Sequence, residues 1–433
     1  MTSRVCLAVI CLTVLTGRLA AQADSNRIRL SARGTSDAQP GILVLSGVGL
    51  DSVRAIIQRD LTYSDRFFVP PIPDSIATLH GQLNPTLYQD TGAAWLVELE
   101  PAIHGVDVKL YDARTGALRN QATVAAPLDG IKDDRLAIHR ISDQIVGWTG
   151  GVGIAATRIA FVMGLKQVWR IDSDGANLVR VSPADDLAMS PAWSPDGSLL
   201  AYSVYRDAVW TLYVQKLAGG APMRVPNSSA GSDYGPAFSP DGRTLAFAHG
   251  AEKGSDIEVA DLVKMCCAHR LTFSGALADN VTPTYSPDGN RIAFMSTRSG
   301  TPELYVMDND GTDTHQLVSS AFDANDKALP SYTPSWSPDN AQVVFGRDTQ
   351  AGGAGRRLFS VMIRSGQVVE RSNSGQNEDP SFAPDSRHVV FKSRRSGREQ
   401  LWILDLESGA TRQLPTPGVA QVPAWSRTLG PNP

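Results

Sequence analysis

The pattern Pro-x-aromatic-Ser-Pro-Asp returns along this chain at a spacing few architectures can absorb. It stands at Pro191-Ala192-Trp193-Ser194-Pro195-Asp196-Gly197, at 236–242 (PAFSPDG) and at 283–289 (PTYSPDG). Looser copies occupy 334–340 (PSWSPDN) and 380–386 (PSFAPDS), and a truncated one reads Pro423-Ala424-Trp425-Ser426. The copies recur about every 43 to 51 residues. Such a period marks stacked supersecondary units, for example propeller blades, none of which can bury its apolar faces alone.

Each unit repeats one grammar. Ser-Pro-Asp-Gly places Ser, Pro and Gly where a type I turn favours them, with Pro presetting the backbone angle. A short apolar strand follows: Leu199–Tyr202, Leu245–Phe247, Arg291–Phe294, Val343–Phe345, Val389–Phe391. A third strand then alternates, as in Leu304–Asp308 or Leu401–Asp405, and a Gly-containing turn leads to a fourth. Strand, turn, strand at this spacing reads as an antiparallel sheet. The motif aromatics Trp193, Phe238, Tyr285, Trp336, Phe382 and Trp425 are expected between blades rather than against a ligand. The turn carboxylates sit in different blades, which argues against paired acid–base chemistry.

The sixth copy stops at Ser426, and its outer strands are found upstream. Arg158-Ile159-Ala160-Phe161 matches Arg291-Ile292-Ala293-Phe294, and Val168–Asp172 matches the third strand. The last blade is therefore expected to combine both ends of residues 157–433, which closes the ring and removes a sheet edge. Ahead of it, residues 24–153 change pattern. Gly41–Leu45, Ala94–Leu99 and Val106–Tyr111 read as strands, with Arg114-Thr115-Gly116 turning into another. Val53, Ile56, Ile57 and Leu61 mark a helix behind an Asp51 or Ser52 cap. Ile138, Ile141, Ile145 and Trp148 mark a second, capped near Asp133. The fold class is thus α+β with two domains: a small α/β domain followed by a six-bladed β-propeller closed by both ends of its own region.

Residues 1–23 read as a secretory signal peptide, with Arg4, an apolar run from Val5 to Leu15, and Ala21-Gln22-Ala23 before Asp24. No later apolar run reaches membrane-spanning length, so no membrane insertion is expected. Cys6 and Cys11 would leave with the leader. Cys266 and Cys267 are adjacent, and either form a vicinal disulfide in a turn or stay reduced at a strand end. The net charge is −4, and losing Arg4 and Arg18 lowers it further. With no basic stripe, nucleic acid is not an expected partner.

Leader, small α/β domain and Ser-Pro-Asp-Gly propeller, in that order, resemble the TolB family, periplasmic components of the Tol–Pal system. The junction Thr157-Arg158-Ile159-Ala160-Phe161-Val162 is similar to the family's start of the propeller. Asp60–Phe68 is similar to its first helix and following strand. The resemblance implies a periplasmic, monomeric, non-catalytic adaptor that supports outer-membrane integrity and cell division. One propeller face would dock Pal, a peptidoglycan-associated outer-membrane lipoprotein. The N-terminal arm at 24–40 would engage TolA of the inner membrane. There Arg27-Ile28-Arg29-Leu30 alternates as a strand added to a partner's sheet edge does.

The propeller face opposite the repeated turns collects the positions that vary between blades. Asp233, Tyr234, His249, Asp279, Asn280, Arg298, Tyr332, Glu378, Asp379, Arg394 and Arg395 are expected in its loops, as candidate partner contacts. An enzyme is disfavoured: no Gly-x-Ser-x-Gly elbow occurs, and the histidines show no metal-protease spacing. No cofactor is expected. The alternative is a related propeller with another periplasmic partner, or with a small ligand or cation in its channel. For a cation, carboxylates such as Asp379 would suit Ca²⁺.

Overall fold

The computed structural model describes residues 39–430, apart from 127–134, 165, 253, 274–277 and 351–354. The leader, Arg27–Leu30 and the cap expected near Asp133 lie outside the described residues.

The first domain is a five-stranded sheet under two helices. Strands β1 (Gly41–Gly47), β2 (Thr78–Leu79), β3 (Ala93–Ala102), β4 (Gly105–Asp112) and β5 (Leu118–Ala125) lie in the order β2-β1-β3-β4-β5. β1 pairs parallel with β3 across a helical connection, and β3-β4-β5 is an antiparallel meander. In β1, Ile42 and Val44 face the helices while Leu43 and Leu45 face the other side, as a period of two requires. Helices α1 (Asp51–Tyr63) and α3 (Arg135–Trp148) cover the first face through Val53, Ile57, Leu61, Ile138, Ile141 and Ile145. The one-turn α2 (Asp74–Ala77) and a 3₁₀ segment carrying Tyr88 lie on the other side. The expected cap of α1 is not formed. Leu50 is the N-cap residue, and Asp51 lies inside the helix, where it accepts from Arg54. The strand expected after α1 is a single bridge, Gly41 to Phe68.

Six four-stranded antiparallel sheets follow. Numbered by the chain order of their second strands, blade 1 is the closing one. Its inner strand Ala420–Trp425 pairs with Arg158–Met163, with Ala420 opposite Met163 and Trp425 opposite Ile159. The ring is closed by main-chain hydrogen bonds between residues more than two hundred positions apart.

One feature of the inner strands was not legible in the motif. In every blade the residue before the motif proline has a left-handed backbone: Ser190, Gly235, Thr282, Thr333, Asp379 and Val422, with φ between +46° and +63°. Pairing jumps there, for instance from Val281 opposite Met295 to Thr284 opposite Ala293. The proline has no N–H to give to a ladder, so it is tolerated where a bulge interrupts pairing. Opposite each bulge stands a fully buried second-strand aromatic: Phe161, Tyr202, Phe247, Phe294, Phe345 and Phe391. The motif aromatics pack nearby. The Trp193 indole N–H donates to Ala424 O at 3.0 Å, and Tyr285 lies 3.3 Å from the Thr244 hydroxyl, each in the neighbouring blade.

Cys266 and Cys267 are disulfide-bonded on the outer strand of blade 3. Of the two states left open by the sequence, the oxidised one is present.

Candidate functional site

The two ends of the propeller are built differently. At one end lie the Ser-Pro-Asp-Gly turns. In blades 2 to 5 the serine hydroxyl donates to the aspartate two residues on, at 2.6 Å in each. It also accepts the main-chain N–H five residues on. The turn carboxylates are thus consumed in holding their own turns.

The fifth copy breaks this rule. Ala383 replaces the serine, and His388 stands where the other copies have Leu199, Thr244, Arg291 and Gln342. Asp385 now accepts from the Arg387 and His388 N–H groups and lies 2.7 Å from His388 Nδ1. The other ring nitrogen, Nε2, lies 3.0 Å from the Asp65 carboxylate of the first domain. Arg387 donates to Asp65 O at 2.9 Å and pairs with Asp405 and Glu407.

A second joint lies beside it. Asp174, in the third-to-fourth turn of blade 1, is buried and takes ion pairs from Arg59 of α1 and Arg135 of α3. The same turn in blade 4 leaves Asp310 in solvent. His139 Nδ1 lies 2.7 Å from Asp60, which also accepts from Ser142, and His139 Nε2 lies 3.5 Å from Asp174. Arg412 of blade 6 lies over the Tyr63 ring at 4.1 Å, and burial pushes its guanidinium down to about 10. Arg140 reaches the carbonyls of Leu429 and Gly430. Asp60 and Asp174 sit at opposite nitrogens of the His139 ring, and two guanidinium groups already hold Asp174. That arrangement suits a shared proton better than one metal ion. The first domain therefore sits over the turn end of blades 1 and 6. No residue of this joint was singled out from the sequence as a contact between the domains. The broken fifth copy, with its histidine, was the available signal.

The opposite end carries the predicted positions, but not as a set of free loops. Asp233, Tyr234, His249, Asn280, Tyr332, Glu378 and Asp379 lie within strands. Asp233, His249 and Asn280 are buried, and the Asn280 amide donates to Ser255 O and Asp256 of the neighbouring blade 3. His249 Nδ1 lies 2.7 Å from Asp233, whose hydrogen bond and charge raise the imidazole above its ordinary value despite burial. Arg298 donates to Ser296 and Asn280 and lies over Tyr305, and Arg395 repeats this with Ser393, Asn377 and Trp402. These two arginines brace blades 4 and 6. Tyr234 is half-buried with its hydroxyl 2.6 Å from that of Ser255, which also donates to the exposed Asp279.

The remaining candidates form one ionic network across blades 5, 6 and 1. Lys392 lies 2.7 Å from Glu378 and 3.7 Å from Asp379. Arg356 pairs with Asp348 at 2.7 Å and Glu378 at 3.7 Å, over the Tyr332 ring at 3.8 Å. Arg394, 60 % exposed, pairs with Glu399, which also accepts from Gln421 of blade 1. Lys392 already supplies positive charge beside Asp379, which leaves that carboxylate poorly suited to Ca²⁺. Further round the rim, Phe273 and Phe322 are 79 % and 59 % exposed. Phe322 sits on an extra hairpin, Ala321–Phe322 with Ala328–Leu329, inserted between blades 4 and 5. A polar rim with isolated aromatics is a surface that can dock a protein. The channel between the inner strands is about 290 Å³ and is lined by the motif prolines and aromatics. Among the described residues, no helix is long and apolar enough to cross a membrane.

Comparison with known proteins agrees with this geometry. A family model of the TolB beta propeller domain matches residues 147–429. The chain is 29% identical over 403 residues to the Tol-Pal system protein TolB of Bordetella parapertussis, covering 90% of this chain and 87% of that protein. The TolB of Bordetella pertussis is likewise 29% identical, over 90% of this chain and 88% of its own length. The crystal structure of TolB from Acinetobacter baumannii has the same fold, with a TM-score of 0.76 at 24% identity, covering 90% of this chain and 97% of that one.

Proposed function

The chain belongs to the TolB beta propeller family, and from that premise we propose that it is a non-catalytic periplasmic adaptor of a Tol–Pal system. The propeller end opposite the Ser-Pro-Asp-Gly turns docks a Pal-like, peptidoglycan-associated outer-membrane lipoprotein. The N-terminal arm, through Arg27–Leu30, engages a TolA-like inner-membrane protein, so that the monomer links the two membranes during division.

One observation carries the choice of face. The first domain packs on the turn end of blades 1 and 6, so the other end, where blades differ most, is left for a partner. That end offers Arg394, Asp279 and Arg298 as charged contacts, with Phe273 and Phe322 as apolar ones. The adaptor reading is also supported by the described His–carboxylate pairs: Asp60–His139, Asp233–His249 and Asp385–His388 are buried in packing. A pull-down with the purified mature chain tests the reading. It should capture the same organism's Pal-like lipoprotein, and a folded propeller that fails to do so would count against it.

A further inference from the structure

The joint between the domains is crossed twice by the same device, an imidazole held between two carboxylates. His388 has Asp385 of its own blade at Nδ1 and Asp65 of the first domain at Nε2, at 2.7 and 3.0 Å. His139 has Asp60 of its own domain at Nδ1 and Asp174 of the propeller at Nε2, at 2.7 and 3.5 Å. Each histidine side chain is fully buried, and His139 Nε2 makes no hydrogen bond, its approach to Asp174 being a charge contact only. The two devices are mirror images: one histidine comes from each domain, and in both the Nε2 side faces the other domain.

A neutral imidazole donates from only one nitrogen. With Nδ1–H given to the near carboxylate, Nε2 would point a lone pair at the second carboxylate across the joint. Only the imidazolium donates to both. We propose that docking of the first domain on the propeller is proton-dependent, with His139 and His388 acting as paired latches that close when protonated.

Every charged group around them bears on this. His388 is faced by Asp65, Asp385 and, through Arg387, by Asp405 and Glu407. His139 is faced by Asp60, Asp174 and Asp172, with Asp143 behind it on α3, and by the cations Arg59, Arg135 and Arg412. Burial disfavours both imidazolium ions, but the carboxylates outweigh it and hold both rings above the ordinary histidine value. Asp174 and Asp385 are held below the ordinary aspartate value, because their partners outweigh burial. The signs follow. The histidine contribution is complete below about pH 6.5, the unfolded value, and is lost as pH rises through the raised pKa. The aspartate contribution is present above about pH 4 and fades in stronger acid. Docking is therefore tightest in mild acid and loosens as pH rises through the raised histidine values, and Asp143, which burial pushes up to about 7, adds to that loosening as it ionises. The loss of one charge-assisted hydrogen bond on deprotonation weakens docking about tenfold.

The test uses the intact mature chain. Amide hydrogen exchange in the connector, residues 149–156, is measured at pH 6.5 and 9 and corrected for intrinsic rates. Imidazole titration is followed by NMR in the same samples. The latch predicts at least a tenfold fall in connector protection at pH 9, and titration of His139 and His388 above the ordinary histidine value. The His139→Asn/His388→Asn double variant should show low protection at both pH values. If it fails to fold, Asp65→Asn, on a partly exposed side chain, should shrink the pH step and return His388 toward the ordinary value. Equal protection at both pH values in the parent chain overturns the proposal. So does titration of both histidines at or below the ordinary value, or an unchanged pH step in Asp65→Asn.

Discussion

Single positions in this propeller obey two rules at once, and one rule wins. A residue before proline favours extended backbone, and a residue with a side chain avoids positive φ. Thr282, Thr333 and Asp379 break both rules, at φ +52°, +46° and +53°. The bulge they make leaves room for a buried aromatic on the paired strand, which burial favours by more than the strain costs. Thr282→Gly should therefore stabilise the fold by up to about 1 kcal/mol, read as a higher midpoint of chemical unfolding. Phe294→Ala, opposite the same bulge, should cost about 3–5 kcal/mol in that assay. The motif showed the proline and the aromatic, because composition marks them. It did not show the left-handed residue, since Ser, Thr, Asp and Val share no chemistry there and only the ring geometry selects the conformation. Side-chain roles at the far face were misplaced for a related reason. Asp233, His249 and Asn280 look like surface chemistry in sequence, but burial is decided by partners that the sequence does not display.

Elements were more legible than residues. The second strands, the alternating third strands and the closing pair of Ala420–Trp425 with Arg158–Met163 follow from period-two patterning and the repeat. So do β1, β3, β4 and the core-facing positions of α1 and α3. The cap of α1 was misread because Asp51 serves Arg54 and Thr78 instead of the helix end. The turns carry a testable asymmetry. In blade 4 the Ser286 hydroxyl accepts the Arg291 N–H at 2.9 Å and donates to Asp288 at 2.6 Å. Ser286→Ala should lower stability by about 1–2 kcal/mol in thermal or chemical unfolding. In blade 6 the reverse change, Ala383→Ser, should gain less, because Asp385 already accepts from Arg387 and His388.

At the scale of the whole molecule, the repeat dictates a closed ring, and the break in the repeat dictates where the first domain sits. Four copies of the turn satisfy themselves. The fifth turns its aspartate to a histidine, and that histidine to the first domain. The domain covers the turn end of blades 1 and 6, leaving the opposite rim, with Arg394, Phe273 and Phe322, uncovered by it. The order of parts made this architecture readable in the sequence. The joint was not, because its groups come from distant parts of the chain, more than three hundred residues apart for Asp65 and His388. Calorimetric titration of the mature chain with its own Pal-like lipoprotein tests the central claim most directly. Arg394→Glu and Phe322→Ser on the rim are compared with Arg243→Glu at a turn. Binding should weaken at least tenfold, about 1.4 kcal/mol, in each rim variant and stay unchanged in the turn variant. Full affinity in both rim variants, or a loss confined to Arg243→Glu, would contradict it.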